Sequence, residues 1–270
     1  MRRRRLALWV WYRGDRFQGW QSQRTGRSVQ ETLAAALESR RVDGGPMASG
    51  RTDRGVHARC QPVSVRAPSD VSPEGLADLG GEDWGVAASV AAPNGFHAQW
   101  SSAWKEYRYR LALGRVPRAW EGLVWETGHH PRLAGHPVRW EIVRSALERA
   151  VGRRDFSALH GDSSVRRPRT LHAVHWAEHA GVAEITLRAD AFGRHGVRLL
   201  VGGAVLVGAG LVAVETWERA IDDAVPFAGL RASGGALTLW AVGYPGGLDP
   251  FAGVSPKLPE VPPFVPVDQA

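Results

Sequence analysis

Cysteine is almost absent from this chain of 270 residues: Cys60 stands alone. No internal disulfide can staple the fold, which excludes a disulfide framework of the secreted kind and favours a reducing, cytoplasmic setting. Long apolar runs are missing too. The charge-free stretch from Leu199 to Val214 is shorter than the roughly 18 to 20 apolar residues that a membrane-spanning helix needs, so a buried helix is expected there and no membrane association. Arg2 to Arg5 look like the basic start of a targeting segment, but Arg13, Asp15 and Arg16 break the apolar stretch behind them, and no cleavable signal is expected. A full zinc-ligand set is also lacking: His129 and His130 are merely adjacent, and one cysteine cannot complete a zinc site. No metal is expected.

What the chain has in excess is positive charge. Its 34 Lys plus Arg against 27 Asp plus Glu leave a formal charge of +7 and a pI near 10.4. A polyanionic partner follows, nucleic acid before an anionic membrane surface. Arginine far outnumbers lysine, which also fits a biased genome, so composition alone leaves both readings open. The length suffices for a core without disulfides or structural metals.

Trp, Val and Tyr between Leu6 and Tyr12 predict a first strand. Ser28 followed by Glu31 forms a capping box, and Val29, Leu33, Ala36 and Leu37 then line one helical face. Turn residues fill Asp43 to Pro46, a glycine-flanked loop runs from Gly50 to Gly55, and a strand pattern resumes over Gln61 to Val65. Tyr107 to Leu113 alternates so that Arg108 and Arg110 share one sheet face and Tyr107 and Tyr109 the other. Ile142 to Val151 has helical spacing, with Gly152 placed to end the helix. Val182 to Ala189 and Ala236 to Val242 read as strands, the first half-buried by alternation. This order predicts an α+β architecture, antiparallel mixed sheets with helices packed on one side. The Pro- and Gly-rich stretch from Pro245 to Pro266 reads as an extended tail. The expected domains are an N-terminal α+β half over 1–104, a C-terminal half over 105–245 and a tail over 246–270.

The informative stretch is Gly50-Arg51-Thr52-Asp53-Arg54-Gly55-Val56-His57-Ala58. One carboxylate, Asp53, sits among Arg51, Arg54 and His57, and neighbouring cations favour its ionised form. A solvated turn in which Thr and Asp bond their own backbone is the plain alternative. The string Gly-Arg-Thr-Asp-x-Gly-Val-His-Ala, however, closely resembles the catalytic loop of the tRNA pseudouridine synthase A family. Tyr12-x-Gly14, Phe17-x-Gly19-Trp20-Gln21 and Ser28-Val29-Gln30-Glu31 are similar to the family's opening strand, loop and helix. Lys105-x-Tyr107-x-Tyr109, Asp155-Phe156-Ser157 and the set Phe192, His195, Val197, Arg198, Val201, Gly202 match further motifs, so the resemblance spans residues 12 to about 202.

The resemblance implies a pseudouridine synthase fold with two ferredoxin-like halves. The implied activity isomerises uridine to pseudouridine at positions 38, 39 and 40 of the tRNA anticodon stem-loop, in a cytoplasmic homodimer with tRNA across both subunits. It implies Asp53 as the catalytic carboxylate, Arg198 as its partner and Tyr107 packing on the target base, with Arg51, Arg54 and His57 as further substrate-binding residues. An isomerisation without redox change calls for no organic cofactor. Arg51, Arg54, Arg108, Arg110 and the Arg166, Arg167, Arg169 cluster are candidate phosphate contacts, which would position RNA without reading its sequence. Departures from the family pattern are Arg54 in place of a small residue, Gly196 in place of Met, Leu199 in place of a polar residue, and a shortened segment over 71–93. They leave a second reading, a basic tRNA-binding protein without catalysis. A hydrolase would want a second carboxylate or a metal cluster at the site, and no such motif is present.

Overall fold

The structure is a computed structural model that describes residues 2–159 and 168–269. Along the described residues run nine strands and four α-helices: β1 (Arg3–Tyr12), α1 (Val29–Glu38), β2 (Met47–Ala48), β3 (His57–Pro68), β4 (Trp84–Ala91), β5 (Trp104–Ala112), α2 (Trp140–Arg149), β6 (Gly152–Arg154), β7 (Arg169–His179), β8 (Val182–Ala189), α3 (Gly196–Gly208), α4 (Val214–Asp222) and β9 (Leu237–Gly243). The fold is α+β. It divides into two units, Met1–Trp104 with Thr238–Val265, and Lys105–Leu237 with Pro266–Ala270.

In the first unit β1 is central, antiparallel to β3 on one side and β4 on the other. The short β2 pairs antiparallel with β3, and β9 joins β3 in parallel through His57↔Thr238 and Ala58↔Leu239. β1 starts at Arg3, earlier than its apolar core suggests, because each arginine finds an acceptor: Arg3 the carboxylate of Asp43, Arg4 the carbonyl of Val71, Arg5 the carbonyl of Phe96. Leu6, Leu8, Val10 and Tyr12 are fully enclosed. α1 begins as its capping box requires, the Ser28 hydroxyl accepting from the Glu31 amide at 3.2 Å. Val29, Leu33 and Leu37 are its buried face.

Trp9 and Trp11 lie on the opposite side of β1 from Leu8 and Val10, and they explain the fate of the proline-rich stretch. It is irregular, as its composition demands, but it is anchored. Phe251 meets Trp9 edge-on at 5.4 Å and Phe264 meets Trp11 at 5.3 Å, while the Lys257 amide donates to the Ala87 carbonyl. Two large aromatic faces are thereby removed from water. The stretch belongs to the first unit up to Val265, and the chain re-enters that unit at Thr238.

In the second unit β8 pairs antiparallel with β5, from Lys105↔Ala189 to Ala112↔Val182, and with β7, which carries β6. α3 is the buried helix expected from the charge-free run, starting at Gly196; the chain turns at Gly210, whose φ of +71° suits glycine. Its glycines allow close approach: a Cβ on Gly202 would lie 1.9 Å from the Leu230 carbonyl oxygen, and one on Gly208 2.5 Å from Val143. Trp217 of α4 donates its indole N–H to the Ala146 carbonyl of α2 at 3.0 Å.

Candidate active site

The loop that holds Asp53 is fixed from behind by β1 and β3. Gln61 of β3, fully buried, donates from Nε2 to the Gly50 carbonyl at 2.7 Å and accepts the Ser49 hydroxyl at 2.7 Å. The Tyr12 hydroxyl lies 2.7 Å from Thr52 Oγ1. Burial pushes the Tyr12 phenol up to about 12 against the lowering effect of its bonds to Thr52 and Gln61, so it stays a neutral hydrogen-bonding group. The residues just before Asp53 are thus tied to two strands. Just after it, the Val56 amide donates to the Asp53 carbonyl at 3.1 Å, a tight turn in which Gly55 takes φ +85°.

The segment Gly14–Trp20 presses on the other side of the loop. Gly19, at φ +104°, lies so close that a Cβ would be 2.8 Å from the Thr52 oxygen and 3.1 Å from the Arg54 nitrogen. A Cβ on Gly14 would lie 2.2 Å from the Val56 oxygen. Trp20 completes the contact by donating its amide to the Thr52 carbonyl at 3.0 Å. Both glycines belong to the motifs Tyr12-x-Gly14 and Phe17-x-Gly19, and their task, to let two backbones touch, depends on contacts with a distant loop.

Asp53 itself is half-buried, while Arg51 and Arg54 beside it are exposed. His57 is different. It is fully enclosed, and its Nδ1 accepts the Gly14 amide at 3.1 Å. That bond requires a lone pair on Nδ1, so the approach of Asp15 to the same atom at 3.8 Å is a proximity and not an ion pair. Expected among the substrate-binding residues, His57 instead braces the loop from inside. Burial works to raise the Asp15 carboxyl, and Arg13, bonded at 3.0 Å, outweighs it and holds the group below the usual carboxylate range.

In the second unit Tyr107 is nearly buried on β5, with Phe192 set edge-on at 5.3 Å and 90°. Lys105 shares its sheet face two residues earlier. Burial, reinforced by Arg169, pushes the Lys105 ammonium down to about 8. Arg198 stands in the first turn of α3. Its Nε donates to the Ala232 carbonyl at 2.7 Å and its own carbonyl accepts the Ala232 amide at 3.0 Å. Beside this segment the Tyr109 hydroxyl donates to the Ser233 carbonyl at 3.0 Å. Tyr109 and Arg198 thus clasp one stretch of chain. Beneath the start of α3, Phe156, Leu171, Phe192 and Gly196 line an apolar hollow that Arg169 borders.

Two of the candidate phosphate contacts bind a carboxylate within the fold. Arg110 is fully buried, bonded through Nε to Glu184 at 2.9 Å and stacked 4.7 Å from the Trp120 ring. Burial lowers its pKa to about 10, with Glu184 opposing, so it remains charged at neutral pH. Arg108 reaches the other oxygen of the same carboxylate at 2.7 Å. The alternation that put both arginines on one face was legible; that Glu184 lies opposite Arg110 was not, because strand pairing is not local. Arg169 is partly buried, and Arg166 and Arg167 lie outside the described residues. Among the described residues no group of three or more His, Cys, Asp or Glu is arranged to hold a metal ion, and no helix is long and apolar enough to cross a membrane.

Comparison with known proteins gives consistent matches. The sequence profile of a family described as tRNA pseudouridine synthase matches residues 146–245. A tRNA pseudouridine synthase A of Gloeobacter violaceus is 35% identical over 261 residues, 92% of this chain and 82% of that protein. The protein of the same name from Bordetella parapertussis is 35% identical over 230 residues, 80% of this chain and 81% of its own length. That of Xanthomonas euvesicatoria is 34% identical over 221 residues, 76% of this chain and 81% of its own.

Proposed function

The chain belongs to the tRNA pseudouridine synthase A family, and from that premise we propose that Asp53 is the carboxylate with which it converts uridine to pseudouridine in tRNA. The observation that carries the assignment is the mounting of the Asp53 loop: Gln61, Tyr12 and Thr52 hold it from behind, and Gly14 and Gly19 close on it from the other side. A carboxylate that must act on one ribose carbon needs such preorganisation, since small displacements of a reacting group cost large factors in rate.

The reaction breaks the N1–C1′ bond of uridine and forms a C5–C1′ bond. The proton on C5 is lost, N1 gains one, and no electrons are transferred to or from a cofactor. Two routes use one carboxylate: attack of Asp53 on C1′, or removal of the C2′ proton by Asp53. Both require it ionised. Arg198 is the guanidinium that partners Asp53, and Tyr107 offers its ring to the uracil once that base has left its stack. Arg51 and Arg54, exposed on the same loop, contact tRNA phosphates and position the anticodon arm. Uridines 38, 39 and 40 are the targets, and the enzyme works in the cytoplasm as a homodimer with tRNA lying across both subunits.

The test is incubation with unmodified tRNA followed by pseudouridine mapping, beside Asp53→Asn. Conversion confined to positions 38 to 40 and abolished in the variant is expected. Conversion that survives the substitution removes Asp53 from its role, and modification elsewhere in the tRNA overturns the choice of targets.

A further inference from the structure

Most large apolar side chains of this protein are enclosed, but Trp100 is 81% exposed. It sits on a short turn that is held firmly. Phe96 and Ala98 beneath it are fully buried, and the Ala98 carbonyl accepts the Tyr244 hydroxyl at 2.8 Å. The His97 amide donates to Ser101 Oγ at 3.0 Å, and the Ser101 amide returns a bond to the His97 carbonyl at 3.0 Å. The Ser102 hydroxyl closes on the Gln99 carbonyl at 2.9 Å.

The imidazole of His97 lies flat on the indole, centroids 4.4 Å apart and planes within 10°. His97 Nδ1 accepts the amides of both Gln99 and Trp100 at 3.2 Å, so the ring cannot swing away without losing two bonds. One face of the indole is therefore covered by a fixed ring, and its exposure comes from the rest. Burial, then the nearby Arg5, hold His97 below the usual histidine range, which keeps the lone pair that the two amides need.

We propose that Trp100 is a stacking platform for one unpaired nucleobase of the bound tRNA, in addition to the uridine that reacts. The inference rests on the tRNA-modifying reading above. A flat, rigid ring already stacked on one side continues naturally into a base on the other, and the ordering cost is met before RNA arrives. The neighbours argue against a protein partner. Gln99, Ser101, Ser102 and Ala103 around the indole are polar or small, whereas a stable protein interface needs a contiguous apolar centre. A single aromatic with polar surroundings and an arginine at hand suits a single base.

The experiment compares tRNA binding by the full chain with Trp100→Ala and Trp100→Phe, each across a salt series, with oligomeric state measured by analytical ultracentrifugation. Loss of a stacked base weakens binding about 5- to 150-fold for Trp100→Ala, and Trp100→Phe keeps most of the affinity. The slope of log K against log salt stays unchanged, because no phosphate contact is lost. Wild-type affinity in Trp100→Ala, or a shallower salt slope, overturns the platform. So does a shift in oligomeric state that accounts for the loss, which would make the indole a contact between copies. Absence of any conversion by the wild type would instead sink the function proposed above, and the binding comparison would still read out.

Discussion

At the scale of single residues, the site depends as much on what two glycines lack as on what Asp53 carries. Gly19 combines a left-handed φ of +104° with a backbone contact in which a Cβ would be 2.8 Å from the Thr52 oxygen. Alanine there meets both penalties, because the conformation is strained for any L side chain and the atom it would strike is main chain that cannot rotate away. Gly19→Ala should cost about 1–3 kcal/mol of stability, measured by urea unfolding. It should also lower kcat more than it raises KM, since the displaced residues are Thr52 and Asp53 while Arg51 keeps its exposed position. An unchanged kcat in a well-folded variant would show that the close approach is packing without consequence for the carboxylate.

At the scale of elements, the β5–β8 pairing carries a row of charge in which Glu106, Arg110 and Glu184 are buried and Arg188 is exposed. Glu184 lies directly opposite Arg110 and Glu106 directly opposite Arg188. Glu184 binds Arg108 and Arg110 at 2.7 and 2.9 Å, and Glu106 binds Arg188 at 2.6 Å. A slip of one residue would turn these charges to the face that Tyr107, Tyr109, Ile185 and Leu187 occupy, so the row selects the register. It thereby places Tyr107. Such pairs add little net stability when intact but are costly to break, because the partner stays buried and charged. Glu184→Ala should destabilise the protein by about 3–5 kcal/mol in chemical denaturation, where a loss below about 1 kcal/mol would mean that water reaches Arg110. The contrast with the outer pairs is instructive. Arg3–Asp43 and Arg41–Asp70 are exposed on both sides and belong to the class of ion pairs worth little.

At the scale of the whole molecule, the excess of +7 is divided between two kinds of arginine. One kind serves the fold: Arg4 and Arg5 cap carbonyls, Arg59 lies over Trp240 at 4.8 Å, and Arg110 is enclosed. The other kind stays in water. For Arg51 and Arg54 no ion pair is present among the described residues, and both are exposed. Neutralising phosphates with such side chains releases counterions, so log K for tRNA should fall linearly with log salt. Arg51→Gln combined with Arg54→Gln should make that slope shallower by about two contacts' worth, roughly 1 to 2 units. Filter binding across a salt series checks this. A double variant with the wild-type slope would assign the two arginines to the loop itself and not to the RNA.

By itself the sequence determined what local chemistry can determine. The capping box at Ser28, the strand alternation of Val182–Ala189 and the charge-free helix around Leu199 each rest on neighbours within a few residues, and each is found at or near its expected place. The nine-residue string around Asp53 also marked the loop proposed to carry the chemistry, because turn, glycines and carboxylate lie in one short segment. What required the tertiary structure were the pairings between distant parts of the chain. Arg110 looks like any alternating surface cation until Glu184 is seen opposite it, and His57 looks like a substrate ligand until the Gly14 amide is found on its Nδ1. The prolines after Pro245 show why that stretch has no regular period, yet only the contacts of Phe251 with Trp9 and of Phe264 with Trp11 explain why it is held. The physical reason is common to all three: burial and hydrogen-bond partnership depend on which residues meet in space, and a linear pattern records only which residues could.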